Sequence, residues 1–199
     1  MITILDYAIN NLRSVEKAFI SLGVPVEVTD RPVRVLAAEK LVLPGVGAFA
    51  DAMSNLTSKN LLDCLSQKVM SGTPLLGVCL GLQLLFSESE EFGIHRGLGF
   101  IPGRVKRLPP TLRVPHIGWN QLHVKKSDPL LEGVADGSFV YFVHSYFADP
   151  EQTSDVLTTT DYGMEFASII RRGNVWATQF HPEKSQDVGL RILRNFAEL

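Results

Sequence analysis

The run "PLLGVCLGLQLLF", residues 74–86, constrains this chain more than any other, because it begins as a strand and ends as a helix with only Gly77-Val78-Cys79-Leu80-Gly81 between. A turn that sharp crowds neighbouring backbone, and glycine on both sides of the cysteine permits the close approach. The G-x-nucleophile-x-G form, strand before and helix after, is that of a nucleophile elbow. Such a turn projects the apical side chain into a cleft at the sheet's edge, and the N-terminus of the following helix favours thiolate over thiol. Taken alone, the pentapeptide also fits a small buried cysteine, the usual state of a free thiol.

The surrounding pattern supplies the sheet that an elbow needs. "ITILD" reads as a buried strand, and Leu12, Val15, Phe19 and Leu22 recur at helical spacing until Gly23 offers a stop. "PVEVTD" and "KLVLPG" read as strands, "LLDCLSQKVMSG" as a helix, and "LGLQLLFSES" as the helix after the elbow. Strands alternating with helices predict an α/β fold, a mixed, largely parallel sheet flanked by helices. Beyond about residue 98 strands and turns prevail. "ASIIRR", Gly173-Asn174 and "VWATQF" form a hairpin, and Ser185 caps a last amphipathic helix carrying Val188, Ile192, Leu193, Phe196 and Leu199. Without repeats or a low-complexity linker, residues 1–199 read as one domain. Nineteen basic residues against 21 acidic ones, with no basic block, leave no electrostatic footprint for nucleic acid. "MITILDYAIN" lacks the form of an export signal and no run approaches the roughly 18 apolar residues of a membrane span, so no membrane role is expected. Two cysteines make no disulfide framework, and a reducing cytoplasm is the expected compartment.

A thiol nucleophile needs a base, and the base an orienting group. "QFHPEKS" offers both: His181 and Glu183 stand two apart across Pro182 at the end of a predicted strand, where period-two geometry puts them on one side and proline keeps His181 extended. The pattern predicts a Cys79-His181-Glu183 triad. Acyl transfer also needs donors for an oxyanion. In "LVLPGVGAF" the backbone of Gly45, Val46 and Gly47 follows a predicted strand, and the Leu80 N–H is a second candidate, although a plain glycine turn has the same spelling. His95, His116, His123 and His144 show no metal-ligand spacing with the cysteines, so neither metal nor cofactor is expected.

Together these residues resemble the class I (triad) glutamine amidotransferases, over nearly the whole chain. The resemblance implies a flavodoxin-like fold in which Cys79 attacks the side-chain amide of L-glutamine, His181 acts as base and then acid, and Glu183 orients it. It also implies a γ-glutamyl thioester that water hydrolyses, and ammonia that leaves for a synthase site elsewhere. The glutamine-holding positions of the family correspond to Gly47, Gln83, Glu91, Ser145 and Tyr146, with Glu91 accepting from the α-ammonium. "LDYAINNLRS", "LPGVGAF", "VPHIGWNQL" and "QFHPEKS" are similar to the branch that forms a heterodimer with a (β/α)8-barrel cyclase of histidine biosynthesis. That likeness implies Asn11, Trp119, Asn120, Tyr141 and Lys184 at the partner surface. Ala8 and Asn10 stand where the branch usually has glycines. Two other readings stay open: a glutaminase feeding another acceptor, such as the pyridoxal phosphate synthase type, and a thiol-sensor module in which Cys79 oxidises. "PHIGWN" and Lys184-Ser185 favour the first branch.

Overall fold

The computed structural model describes residues 1–199. Its strands are β1 (Ile2–Leu5), β2 (Val26–Thr29), β3 (Lys40–Leu43), β4 (Leu75–Val78), β5 (Phe86–Ser89), β6 (His95–Arg96), β7 (Ile101–Arg107), β8 (His116–Gln121), β9 (His123–Val124), β10 (Phe139–His144), β11 (Tyr146–Pro150), β12 (Val156–Asp161), β13 (Glu165–Arg172) and β14 (Val175–Thr178). The helices are α1 (Leu12–Ser21), α2 (Pro32–Leu36), α3 (Phe49–Ser58), α4 (Leu62–Met70), α5 (Leu80–Leu84) and α6 (Gln186–Glu198). None is long and apolar enough to cross a membrane.

β1, β4 and β14 are buried at every residue, and β3 at all but its first. Strands apolar on both faces must be covered on both faces, which is the condition of a parallel sheet between helices. The main sheet runs β2-β1-β3-β4-β14-β13-β12-β9, parallel from β2 to β14 and antiparallel beyond. Alternate residues feed two cores. Leu41, Leu43 and Leu75 pack with Phe49, Ala52 and Leu56 of α3 and Leu65 of α4. Val42, Leu76 and Val78 pack with Val15 and Phe19 of α1 and Ile192, Leu193 and Phe196 of α6. Two smaller sheets, β10-β8 and β11-β7-β5-β6, lie beyond the main one.

Three local expectations change. The helix after the elbow stops at Leu84, and Phe86–Ser89 is a strand paired in parallel with β7. All five residues of α5 are buried, so no polar face marked where helical periodicity ended. α3 is an addition to the expected pattern, with Phe49, Ala52 and Leu56 at helical spacing on its buried face. Ser185 occupies the N-cap of α6 without a capping bond; its Oγ instead donates to the His181 carbonyl (2.7 Å) and accepts from Tyr141 N–H (2.9 Å), tying α6 and β10 to the backbone of the expected base.

Candidate active site

Cys79 stands where β4 ends, with φ 54° and ψ −106°, and its N–H donates to the Thr178 carbonyl of β14 at 2.8 Å. The strained dihedrals fall on the cysteine itself, at a cost of order 1–3 kcal/mol that the surrounding packing must hold. The flanking glycines answer to crowding. A Cβ on Gly81 would lie 1.8 Å from the Leu43 carbonyl oxygen, and one on Gly77 would lie 2.8 Å from Leu85 Cδ1 and 2.9 Å from the Gly81 backbone.

β14 stops at Thr178, so the expected strand end at His181 is replaced by an extended residue (φ −96°, ψ 95°) that leads into a 3-10 turn at Pro182–Lys184. The two side chains meet across that turn. His181 Nδ1 donates to Glu183 Oε1 at 2.7 Å, and the same oxygen accepts from Asn11 Nδ2 at 2.6 Å. The side chains of His181 and Glu183 are 1% and 0% exposed. His181 Nε2 and Glu183 Oε2 have no hydrogen-bond partner in the protein. Burial by itself pushes the His181 pKa down, but Cys79 and then Glu183 outweigh it and carry the pKa up to about 10. The site thus favours a proton on His181.

Cys79 opens onto a cleft of about 430 Å³. Of the residues expected to hold substrate or oxyanion, Val46, Gly47, Leu80, Gln83, Glu91, Ser145 and Tyr146 line it. So do Pro115, Val143 and His144, none of which the sequence assigned to a cleft; Pro115 lies within the run "VPHIGWNQL" and His144 directly precedes Ser145 and Tyr146, and those positions are their only signal. Gln83 Nε2 donates to the Tyr146 carbonyl at 3.0 Å and to Gln179 Oε1 at 3.4 Å. Glu91 has one carboxylate oxygen committed to Phe49 N–H at the start of α3 (2.6 Å). The Leu80 N–H is also engaged, donating to the Gly45 carbonyl at 3.3 Å, whereas the N–H groups of Val46 and Gly47 have no protein acceptor. Pro44, which precedes these residues, is anchored by the Tyr7 hydroxyl donating to its carbonyl. Tyr7 is fully buried, and burial followed by the charge of Cys79 raises its pKa.

The residues expected at a partner surface divide. Trp119 is 46% exposed, stands edge-on to Tyr141 at 5.9 Å, and has exposed Ile117 and Phe139 as neighbours on β8 and β10. Lys184 is exposed as well. The amides of Asn11 and Asn120 are engaged within the chain: Asn11 Nδ2 donates to the buried Glu183, and Asn120 Nδ2 to the exposed Asp161 carbonyl at 2.8 Å.

The description of the family Glutamine amidotransferase class-I matches residues 3–199. The imidazole glycerol phosphate synthase subunit HisH of Syntrophotalea carbinolica is 54% identical over 100% of both chains, and that of Aquifex aeolicus 55% identical over 97% of this chain and 94% of its own. The chain belongs to the class-I glutamine amidotransferases, in the HisH family. The fold of this amidotransferase is shared with a solved glutamine amidotransferase at a TM-score of 0.79, covering 99% of this chain and 97% of the other at 22% identity. Histidine biosynthesis is thus the family's setting, and the parallel-sheet architecture is the family's fold.

Proposed function

We propose that this amidotransferase hydrolyses L-glutamine to glutamate and ammonia through a thioester on Cys79 and delivers the ammonia to the cyclase subunit of imidazole glycerol phosphate synthase. The observation that carries the reading is the buried Glu183-His181 pair, bonded at 2.7 Å, whose proton-bearing imidazole is held up in pKa by the sulfur at the mouth of the cleft. In the reaction the sulfur attacks the γ-carbonyl carbon, His181 passes its proton to the leaving amide nitrogen, and ammonia departs. His181 then takes a proton from water, whose oxygen displaces the sulfur and frees glutamate. Glu183 holds the ring by its Nδ1–H throughout. Gln83, Glu91, Ser145 and Tyr146 surround the substrate, with Glu91's carboxylate near the ammonium.

The oxyanion needs donors, and in this arrangement Leu80 N–H is spent on Gly45. Its release, together with a turn of the peptide around Val46 and Gly47 toward the cleft, completes the site; lacking one such donor typically costs on the order of 10²–10³ in rate. The chain acts as one glutaminase domain of residues 1–199 in a heterodimer, and the exposed Trp119 with Tyr141 and Lys184 meets the cyclase. A reducing cytoplasm keeps Cys79 and Cys64 as thiols. The test is Cys79→Ala against Cys64→Ala. The first should abolish glutamine-dependent synthesis in the complex while synthesis from added ammonium persists, and the second should leave both. Retained glutamine hydrolysis in Cys79→Ala would overturn the assignment.

A further inference from the structure

β8 and β10 pair so that His116 stands directly opposite His144, and both side chains are buried. Their hydrogen bonds run in one direction. His144 Nδ1 lies 2.9 Å from the Tyr146 carbonyl oxygen, which can only accept, so Nδ1 carries the proton. His144 Nε2 is then an acceptor, and His116 Nδ1, 3.0 Å away, must be the donor. His116 Nε2 in turn faces the Asn120 amide at 3.5 Å. A second proton on His144 would set two donors against each other. Burial, the leading cause in both, holds His144 down to about 3 and His116 to about 4, so the pair is neutral at working pH and is no acid–base couple. The His116 ring is stacked between Phe142 (4.9 Å, 20°) and Tyr162 (3.9 Å, 22°), which blocks its rotation.

The end of this chain of bonds is a wall of the cleft. Tyr146's carbonyl has two lone pairs and two donors, His144 Nδ1 and Gln83 Nε2, both from cleft-lining residues. The Ser145 carbonyl is held by Leu108 N–H at 2.9 Å, while Ser145's own N–H has no acceptor in the protein. We propose that His144 is a positioning residue of the glutaminase reaction, its Nδ1–H tautomer enforced by His116 so that the Ser145-Tyr146 backbone presents a fixed surface to the substrate. The proposal rests on the cleft's being the glutamine site. A fixed wall that no proton reaches acts on binding more than on the chemical step.

The experiment compares His144→Leu and His144→Asn in the complex with the cyclase subunit, reading KM and kcat for glutamine. The asparagine amide stands where Nδ1–H stood and can donate to Tyr146; leucine fills the space and donates nothing. Positioning predicts that leucine raises KM about tenfold with kcat within a few-fold, since one lost hydrogen bond is worth about that factor, and that asparagine stays close to wild type. A packing role predicts the reverse, leucine tolerated and asparagine impaired, and that result overturns the proposal. The second readout is the imidazole ¹⁵N spectrum of the unsubstituted chain between pH 5.5 and 8.5. Neutral Nδ1–H rings at both positions support the inference, and an Nε2–H or protonated His144 overturns it even if the leucine variant fails to fold. A wild-type complex without glutaminase activity would instead overturn the reading of the cleft, with the spectrum still deciding the tautomer.

Discussion

Asn11→Gly separates a contact inside the site from one at the partner surface. Asn11 Nδ2 donates at 2.6 Å to a carboxylate whose side chain is fully buried and whose other oxygen has no partner. Hydrogen bonds to charged groups contribute about 1.5–3 kcal/mol, and a buried carboxylate that loses one bears its desolvation uncompensated. Asn11 also has φ 76°, so alanine there would add left-handed strain to the measurement, whereas glycine adopts that region freely. The expected loss for Asn11→Gly is about 2 kcal/mol, read from urea unfolding of the isolated chain. Asn11→Asp should lose more, because two carboxylates at that distance repel and one must stay protonated. Glutamine turnover in the complex should fall about tenfold in the glycine variant as His181 loses a firmly held orienting group. If the isolated chain unfolds at the same urea concentration as wild type, and only affinity for the partner changes, Asn11 is a surface contact and the argument fails.

In Cys79→Ala, His181 should titrate well below about 10, because the first of the two groups that raise it is gone while burial still pushes it down; an imidazolium persisting to pH 10 by NMR would exclude the thiol as its partner. Acid should destabilise the fold through His116 and His144. The unfolded chain binds these protons near 6.5 and the folded chain only near 4 and 3, so stability is lost as pH falls below 6.5, by up to about 1.4 kcal/mol per unit and histidine. A urea midpoint flat from pH 7 to pH 4.5 would contradict both shifts. Gly81→Ala should cost at least about 3 kcal/mol, the upper end for overpacking, since its Cβ would meet the Leu43 carbonyl at 1.8 Å; a loss under 1 kcal/mol in urea unfolding would mean that the elbow has slack.

The parallel half of the fold is legible because its strands are short, apolar and separated by helix-period segments, and because one pentapeptide joins a strand to a helix at the thiol. The pairing of His181 with Glu183 is legible for a different reason: they are two residues apart, so the side chains meet at 2.7 Å even though a 3-10 turn replaces the expected strand end. What depends on distant pairings was not legible. Asn11 meets Glu183 across 172 positions, and its partner-surface reading came from likeness alone. Ser185 looked like a helix cap because capping is local, whereas its actual bonds run to His181 and to Tyr141 on another strand. The sequence names His181 as base and then acid but not its resting proton. The neighbouring sulfur and carboxylate raise its pKa against the effect of burial, and charge proximity of that kind is not written in spacing.

The position of β14 has a consequence during synthesis. It lies between β4 and β13, so the strand that carries the thiol keeps an open edge until residues 175–178 have left the ribosome. His181 and Glu183 follow within a few residues, and α6 must then dock for Ser185 to hold the histidine backbone. A nascent chain therefore carries Cys79 with neither His181 nor Glu183 beside it for about a hundred residues of synthesis. The arrangement that the proposed function requires exists only after α6 has been made and has docked.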